Sequence, residues 1–349
     1  MLFFMASLAA CAAKDEPPAG GAATAAVAPA VGSAGYAFVS NEGSNDVSVV
    51  DLASDSVVAT IEVGKRPRGI RVSPDNATLY VAVSGSPRGG PGVDESTLPP
   101  ADKSADGIAV IEIATRSVTG RLPGGSDPET FDIAPGGKTI YVSNEDAGLA
   151  SVIDVASKKV TAAIRVGGEP EGVAASPDGR TVLVTSEGTG EVSIFDGPSA
   201  TLLGRIPVGK RPRAATFTHD GARAIVTAEV GSTVSLIDVE SRRVVATIPV
   251  ATDGAKPMGI VLSPDESRAF VTTGRGGDVV VIALDSAKVT GRVHVGDRPW
   301  GIARSADGTR LYTANGPANT ISVIDATSLR VLKTIAVGKL PWGIALSVK

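Results

Sequence analysis

Apolar runs of about five residues, each closed by a short polar turn, recur from one end of the chain to the other. Residues 298–338, RPWGIARSADGTRLYTANGPANTISVIDATSLRVLKTIAVG, show the unit. Its runs GIARS, RLYTA, TISVID and RVLKTIAV are rich in β-branched residues and separated by Asp-Gly, Asn-Gly and Ala-Thr-Ser turns, the signature of a four-stranded antiparallel meander. A helix of ordinary length has nowhere to fit between these turns.

The unit repeats. Pro followed two residues later by a small residue, usually Gly, stands at Pro67, Pro128, Pro170, Pro212, Pro257, Pro299 and Pro341, at intervals of 42 or 45 residues except one of 61. A second marker, the acidic residue closing the third run, keeps the same phase at Asp51, Glu112, Asp154, Asp196, Asp238 and Asp325, with Ala283 in the remaining unit. Both markers count seven units. One meander cannot bury both of its faces, and a period of roughly 40–45 residues is that of a propeller blade, so the pattern predicts an all-β, seven-bladed β-propeller of four-stranded antiparallel blades. The repeat opens on YAFVS at Tyr36, in the phase of a second strand, and ends on GIALSV at Gly343, in the phase of a first. The closing blade is therefore expected to join one C-terminal inner strand to three N-terminal strands, which removes a free sheet edge between the termini.

A single array over residues 36–349 makes one domain of a 349-residue chain. Lys and Arg number 33 against 37 Asp and Glu, a net charge of −4, with no basic cluster longer than Lys-Arg-Pro-Arg, which argues against a nucleic-acid partner. The N-terminus reads MLFFMASLAACAAKDEPP. Leu8-Ala9-Ala10-Cys11 is similar to a bacterial lipobox, and Cys11 is the only cysteine, so residues 1–11 are expected to be a lipoprotein-like signal segment lipidated at Cys11. Residues 12–35, rich in Ala, Pro and Gly, read as a disordered tether. The resulting address is the periplasm, lipid-anchored with the outer membrane favoured, and the protein is expected to be a monomer that meets the membrane through the anchor alone.

Chemistry is sparse. Of two histidines, His219 falls in an exposed turn and His294 on an outermost strand, so no base is at hand for a Ser/His/Asp or Cys/His apparatus. No haem or zinc ligand set is visible, and neither a cofactor nor a catalytic set nor a metal is expected. The repeated third-strand Asp reads as a turn former. More informative is the face onto which the loops entering the first strands and joining the second and third strands open together. There the residues after the prolines are Arg68, Glu129, Glu171, Arg213, Met258, Trp300 and Trp342, four of the ring charged and three apolar. The second set of loops adds Glu145, Glu187, Glu229 and Arg275. These eleven are the candidate ligand-binding residues of the channel mouth.

The interval of 61 places about 19 extra residues after the second strand of one unit, within the stretch SGSPRGGPGVDESTLPPADKSADG at about residues 84–107. Its prolines and glycines exclude helix and sheet but stiffen it, and long loops in compact domains are usually functional. The expectation is a lid that folds inward, bringing Asp94, Glu95 and Asp102 toward Arg68 and Arg213 and Leu98 toward the apolar side near Trp300 or Trp342; the alternative is a mobile outward flap.

YVSN at Tyr141 and the SPDG and VSVID-like pieces resemble the YVTN family of β-propellers. PGVDESTLPPADKSADGI, GGSDPETFDI, YVSNEDAG, GGEPEGV, KPMGIVLSPD, TTGRGG, RPWGI and LYTANGP, in that order, resemble the propellers associated with PQQ-dependent catabolism, over residues 36–348. That resemblance implies a compartment and a pathway, the periplasm and quinoprotein alcohol oxidation, and leaves the molecular activity undefined. The first expectation is a non-catalytic periplasmic binding or scaffold protein accessory to that pathway, with a quinoprotein dehydrogenase, another periplasmic protein or a small ligand as partner. Two alternatives stay open. One is a propeller lactonase or lyase that uses Arg68, Arg213, Glu129 and Glu171 on a small acidic substrate; the other is a surface-attached adhesion protein.

Overall fold

The computed structural model describes residues 1–2, 35–89, 93–250 and 254–348. The signal segment with Cys11 and the tether lie outside these residues, apart from residues 1–2 and the last tether position. The described repeat forms seven four-stranded antiparallel sheets, and each runs outward in sequence order from an inner strand. Blade 1 is the exception that closes the ring. Its inner strand is Pro341–Val348, paired with Gly35–Asn41 so that Tyr36 faces Ser347 and Ser40 faces Gly343. Blades 2 to 7 follow at residues 70–122, 128–165, 170–207, 212–249, 260–294 and 299–336.

Burial explains the run-like pattern. The third strand of a blade, such as Glu191–Asp196, is buried along its centre because neighbouring blades cover both faces, so it reads as Val, Ile and Phe with one buried Ser among them. The outermost strand, such as Thr201–Pro207, is largely exposed. Seven clusters of Val, Ile, Leu, Phe and Tyr fill the seams, among them Phe38 with Leu79 and Val81, and Phe131 with Ile140 and Ile153. The third-strand Asp residues cap the next turn, as expected: Asp196 Oδ1 accepts from the Ser199 N–H at 2.9 Å and Asp238 Oδ1 from the Ser241 N–H at 2.8 Å.

The Pro-x-Gly marker has a packing cause. A Cβ on Gly301 would lie 2.7 Å from the Trp342 carbonyl oxygen of the next blade, and one on Gly259 would lie 2.5 Å from the Trp300 carbonyl. Inner strands thus meet backbone to backbone around the axis, where only hydrogen fits. From the other side, a second-strand hydroxyl clamps the same carbonyl. Ser40, Ser143, Thr185, Thr227 and Thr272 donate to the carbonyls of Arg68, Glu171, Arg213, Met258 and Trp300 at 2.6–2.8 Å, each across a blade boundary. The residue after each of these prolines is therefore fixed by its neighbour blade as well as its own.

Candidate functional site

Two features of the loops entering the blades aim side chains at the channel mouth. The residue before Pro is left-handed in six blades, with φ of +44° at Arg66, +49° at Asp127, +50° at Glu169, +58° at Arg211, +53° at Arg298 and +52° at Leu340. The same conformation closes the outer hairpins, at Asp55, Arg116, Lys158 and Arg242 among others, so it marks a tight turn, which here aims the side chain at the opening. The residue after Pro is the second of the inner strand in five blades and just precedes it in the blades of Arg68 and Met258; the carbonyls of Arg68, Glu171, Arg213, Met258 and Trp300 are clamped as described above. Consecutive charged residues on either side of one proline thus reach the same opening.

They line a cavity of about 1680 Å³. Its floor is two guanidiniums, each boxed by three carboxylates. Arg68 Nη2 lies 2.5 Å from Asp127 Oδ1; its Nη1 pairs with Glu129 and lies 3.9 Å from Glu145. Arg213 pairs with Glu187, with Glu171 at 3.0 Å and with Glu229 at 2.7 Å. Nearer the rim, Arg211 reaches Glu187 at 2.5 Å and Glu229 at 3.5 Å, and Arg66 reaches Glu42 at 3.2 Å. Arg68, Glu129, Glu171 and Arg213 are all buried. Arg213 and Arg298 both stack on Trp300, 5.5 and 5.0 Å from the ring centroid, and Trp342 stands 5.7 Å from Trp300.

Burial sets the proton affinities. It pushes the Glu129 carboxyl well above the ordinary range, against the pull of Arg68 and with the push of Glu171 and Glu145. Glu171 is pushed up by the same desolvation despite Arg213. Glu187 rises to about 8, from burial and the nearby Glu171 charge. Asp127 goes the other way: burial is outweighed by Arg68 with help from the Ser84 hydroxyl. In the same manner Arg213 and its hydrogen bond hold Glu229 low against burial. Both floor arginines are desolvated, yet their carboxylates raise them further above neutrality.

Eight of the eleven mouth candidates line this cavity: Arg68, Glu129, Glu171, Arg213, Trp300, Trp342, Glu145 and Glu229. Three do not. Met258 is buried beneath Gly274, Arg275 points out from the short helix Gly274–Gly276, and Glu187 grips Arg213 and Arg211 from behind while lining a separate hollow of about 340 Å³. The pre-proline Arg66, Asp127, Arg211 and Arg298 are the residues that the sequence reading missed. Their signal was present in KRPR, SDPE and DRPW, where a charge recurs directly before the proline.

The inserted loop forms one wall, with Pro87, Val93, Leu98 and Pro99 among its lining residues. It is tied down rather than hinged. Arg66 Nη1 donates to the Ser86 and Pro87 carbonyls at 2.8 and 3.1 Å, Lys103 pairs with Asp146, and buried Asp106 accepts from the Gly85 and Asp127 N–H groups at 2.8 and 3.0 Å. The expected approach of Asp94 and Asp102 to Arg68 and Arg213 is corrected, and the Glu95 side chain lies outside what the structure describes. Asp102 pairs with Lys65 at 2.8 Å and is held at about 2 by that hydrogen bond and the Ser104 hydroxyl, while Asp94 turns back onto Ser96. Short local partners satisfied these groups before distant arginines could. Glu95 opens the short helix Glu95–Thr97.

Among the described residues one trio of carboxylates, Asp127, Glu129 and Glu145, has oxygens within 4.8 Å of one another. The Arg68 guanidinium already pairs with all three, so a metal would compete with a buried cation there. His219 and His294 are exposed, the latter 3.1 Å from Asp278 on an outer strand.

Residues 101–230 match the cytochrome D1 heme domain. The cavity lining offers no His, Cys or Met to ligate a haem iron, so the residues present do not fit that group. No curated protein matches the sequence. Among solved structures the chain is similar to a putative 6-phosphogluconolactonase of Bacteroides fragilis, at 19% identity over 92% of this chain and 99% of that one, with a TM-score of 0.76. It is similar to the periplasmic gluconolactonase of Pseudomonas aeruginosa at 22% identity over 91% and 100% of the two chains, TM-score 0.73. The hydrazine synthase of Kuenenia stuttgartiensis follows at 22% identity over 80% and 89%, TM-score 0.68. Likeness at these identities speaks for the fold. The expectation of a non-catalytic scaffold is overturned by the match to the seven-bladed β-propeller lactonases over residues 7–165 and 168–334, nearly the whole chain, and favours the alternative: the chain belongs to that lactonase family.

Proposed function

We propose that the protein is a lactonase that opens a small cyclic ester by water at the channel mouth. The observation that carries this reading is the convergence of two burial-perturbed carboxyl groups, Glu129 and Glu171, with two floor guanidiniums on one cavity wall. Hydrolysis of a lactone needs a base for the attacking water, positive charge for the carbonyl oxygen, and a proton for the leaving alkoxide. Glu171, ionised beside Arg213, takes the proton as the water oxygen bonds to the carbonyl carbon. Arg213 and Arg68 face the oxygen that becomes negative. When the ring C–O bond breaks, Glu129, kept protonated by burial, supplies the proton to the alkoxide. The product is a hydroxy acid, and the proton count closes when Glu171 returns its proton to Glu129 through water. Burial raises both carboxyls, Glu129 well above the ordinary range, which suits Glu129 to the acid role and leaves the base role to Glu171 beside Arg213. Following lactone opening by acid release should show saturable turnover above the spontaneous rate, reduced at least a hundredfold in Glu171→Gln; a rate equal to the enzyme-free background across a lactone panel rejects the reading.

The LAAC sequence before Lys14 and the resemblance to propellers of PQQ-dependent catabolism support an exported protein anchored through Cys11. Cys11→Ser in a Gram-negative host should move the protein from the membrane to the soluble fraction, and unchanged fractionation rejects the anchor.

A further inference from the structure

The cavity has two unlike sides. Its floor is charged, with each guanidinium boxed by carboxylates. A second bank is apolar: Trp300 and Trp342, on the inner strands of blades 7 and 1, line it together with Val93, Leu98, Pro99 and Pro100 of the inserted loop. The loop also carries charge, but its charged side chains are held elsewhere. Asp94 turns back onto Ser96, Asp102 pairs with Lys65 at 2.8 Å, and Lys103 pairs with Asp146. What the loop adds to the cavity is therefore mainly apolar surface. Val93 lines the cavity while 43% exposed, and such surface is unfavourable in water until a ligand covers it.

Continuity ties this bank to the reacting groups. Arg213, which faces the carbonyl oxygen during lactone opening, lies 5.5 Å from the Trp300 ring centroid, and Trp342 lies 5.7 Å from Trp300. Trp300 takes the guanidiniums of Arg213 and Arg298. Trp342 takes no cation among the described residues and is half-buried, so its ring offers apolar surface to the cavity. A lactone held at Glu171 and Arg213 thus has the tryptophans within reach of a substituent on its ring. Volume points the same way: about 1680 Å³ exceeds the roughly 300–1,000 Å³ of an ordinary ligand pocket, so the ring ester alone leaves most of the space unfilled. We propose that the bank is an apolar subsite and that the preferred substrate is a lactone carrying an uncharged alkyl or aryl substituent several carbons in size. The inference rests on the lactonase reading for its reaction, and on the bank alone for the subsite. Val93, Leu98 and Trp342 touch no reacting atom; they set specificity.

The test compares δ-valerolactone with δ-nonalactone and δ-phenyl-δ-valerolactone, which keep the same ring and add a butyl or a phenyl group, each rate divided by the spontaneous one. A methylene moved from water onto an apolar surface is worth about fourfold in affinity. The subsite therefore predicts that kcat/KM for a substituted lactone exceeds that for the bare ring at least tenfold in wild type; which substituent wins distinguishes alkyl from aryl. In Leu98→Asn that ratio should fall at least fivefold, through KM, and Leu98→Met should keep most of it. Should Leu98→Asn fail to fold, Val93→Asn, at an exposed position, carries the same prediction. Equal use of bare and substituted lactones by wild type, or an unchanged ratio in Leu98→Asn, overturns the subsite and leaves the lactonase reading standing. Where no lactone turns over, binding decides. The chain has 2 tryptophans, Trp300 and Trp342, and both line the cavity, so their emission reports from the bank alone. δ-Phenyl-δ-valerolactam, an amide analogue, should blue-shift that emission by excluding water, δ-valerolactam should not, and the shift should be lost in Leu98→Asn. Equal responses to the two lactams, or none to either, overturn the subsite.

Discussion

Glu187 shows how a single buried carboxyl couples the site to stability. Its side chain is 3% exposed and its affinity rises to about 8, because burial and the Glu171 charge outweigh Arg213 and Arg211. The folded chain therefore holds a proton between the unfolded carboxylate value and about 8 that the unfolded chain has released, so this group's contribution to stability falls as pH rises through that window. Glu187→Gln mimics the protonated form. We expect it to flatten the loss of stability between pH 5 and 9, gaining on the order of 1–3 kcal/mol at the alkaline end; thermal melts across that range check it, and a parallel downward shift at every pH contradicts it. Asp127 has the opposite sign: Arg68 holds it low, so its contribution is lost as pH falls below the ordinary carboxylate range. At this scale the sequence was half legible. The residue after each proline was identified as facing the mouth, but Arg66, Arg211 and Arg298 were not, because nothing in composition reveals that the residue before the proline takes a positive φ and turns the same way. Met258 fell out of the ring because its side chain is buried beside Gly274 and does not reach the cavity.

Elements carry the next part of the account. Inner strands are joined by hydroxyls whose acceptors are the carbonyls of the site residues themselves, as with Thr185 and Arg213 at 2.8 Å. Thr185→Val keeps the shape and leaves that buried carbonyl without its donor. It should cost about 1–3 kcal/mol and lower turnover as Arg213 loosens, and a melt within 1 °C of wild type contradicts the clamp. The inserted loop was legible as a functional segment on the mouth face, since its length and prolines are unlike every other turn. Its internal arrangement was not legible: Asp94 and Asp102 found Ser96, Ser104 and Lys65 within or beside the loop, whereas Leu98, with no polar demand, reached the cavity. Deleting residues 86–103 should leave the propeller folded while removing one cavity wall and two acceptors of Arg66, so KM should rise at least tenfold with the far-ultraviolet circular dichroism unchanged; an unaltered KM denies the wall a role.

The whole molecule depends on ring closure, and closure was the most legible feature of all, because the phase of the first and last strands fixes which blade is shared. Pro341–Val348 supplies both the inner strand of blade 1 and Trp342 of the mouth. Removing residues 341–349 should open a sheet edge and expose the seam filled by Ile344, producing aggregation rather than a destabilised monomer; light scattering distinguishes the two. The ring in turn brings Glu129 of blade 3, Glu171 of blade 4 and Arg213 of blade 5 into one charged set, with affinities that no isolated blade would have. That set is the central claim, and the pH dependence of kcat/KM for lactone opening tests it most directly. The account predicts a bell: an acidic limb above the ordinary glutamate range, where Glu171 must lose its proton, and a fall at higher pH, where Glu129 gives up the proton it donates, with the acidic limb gone in Glu171→Gln. A rate that climbs tenfold per pH unit without a plateau, as free hydroxide attack does, would contradict it.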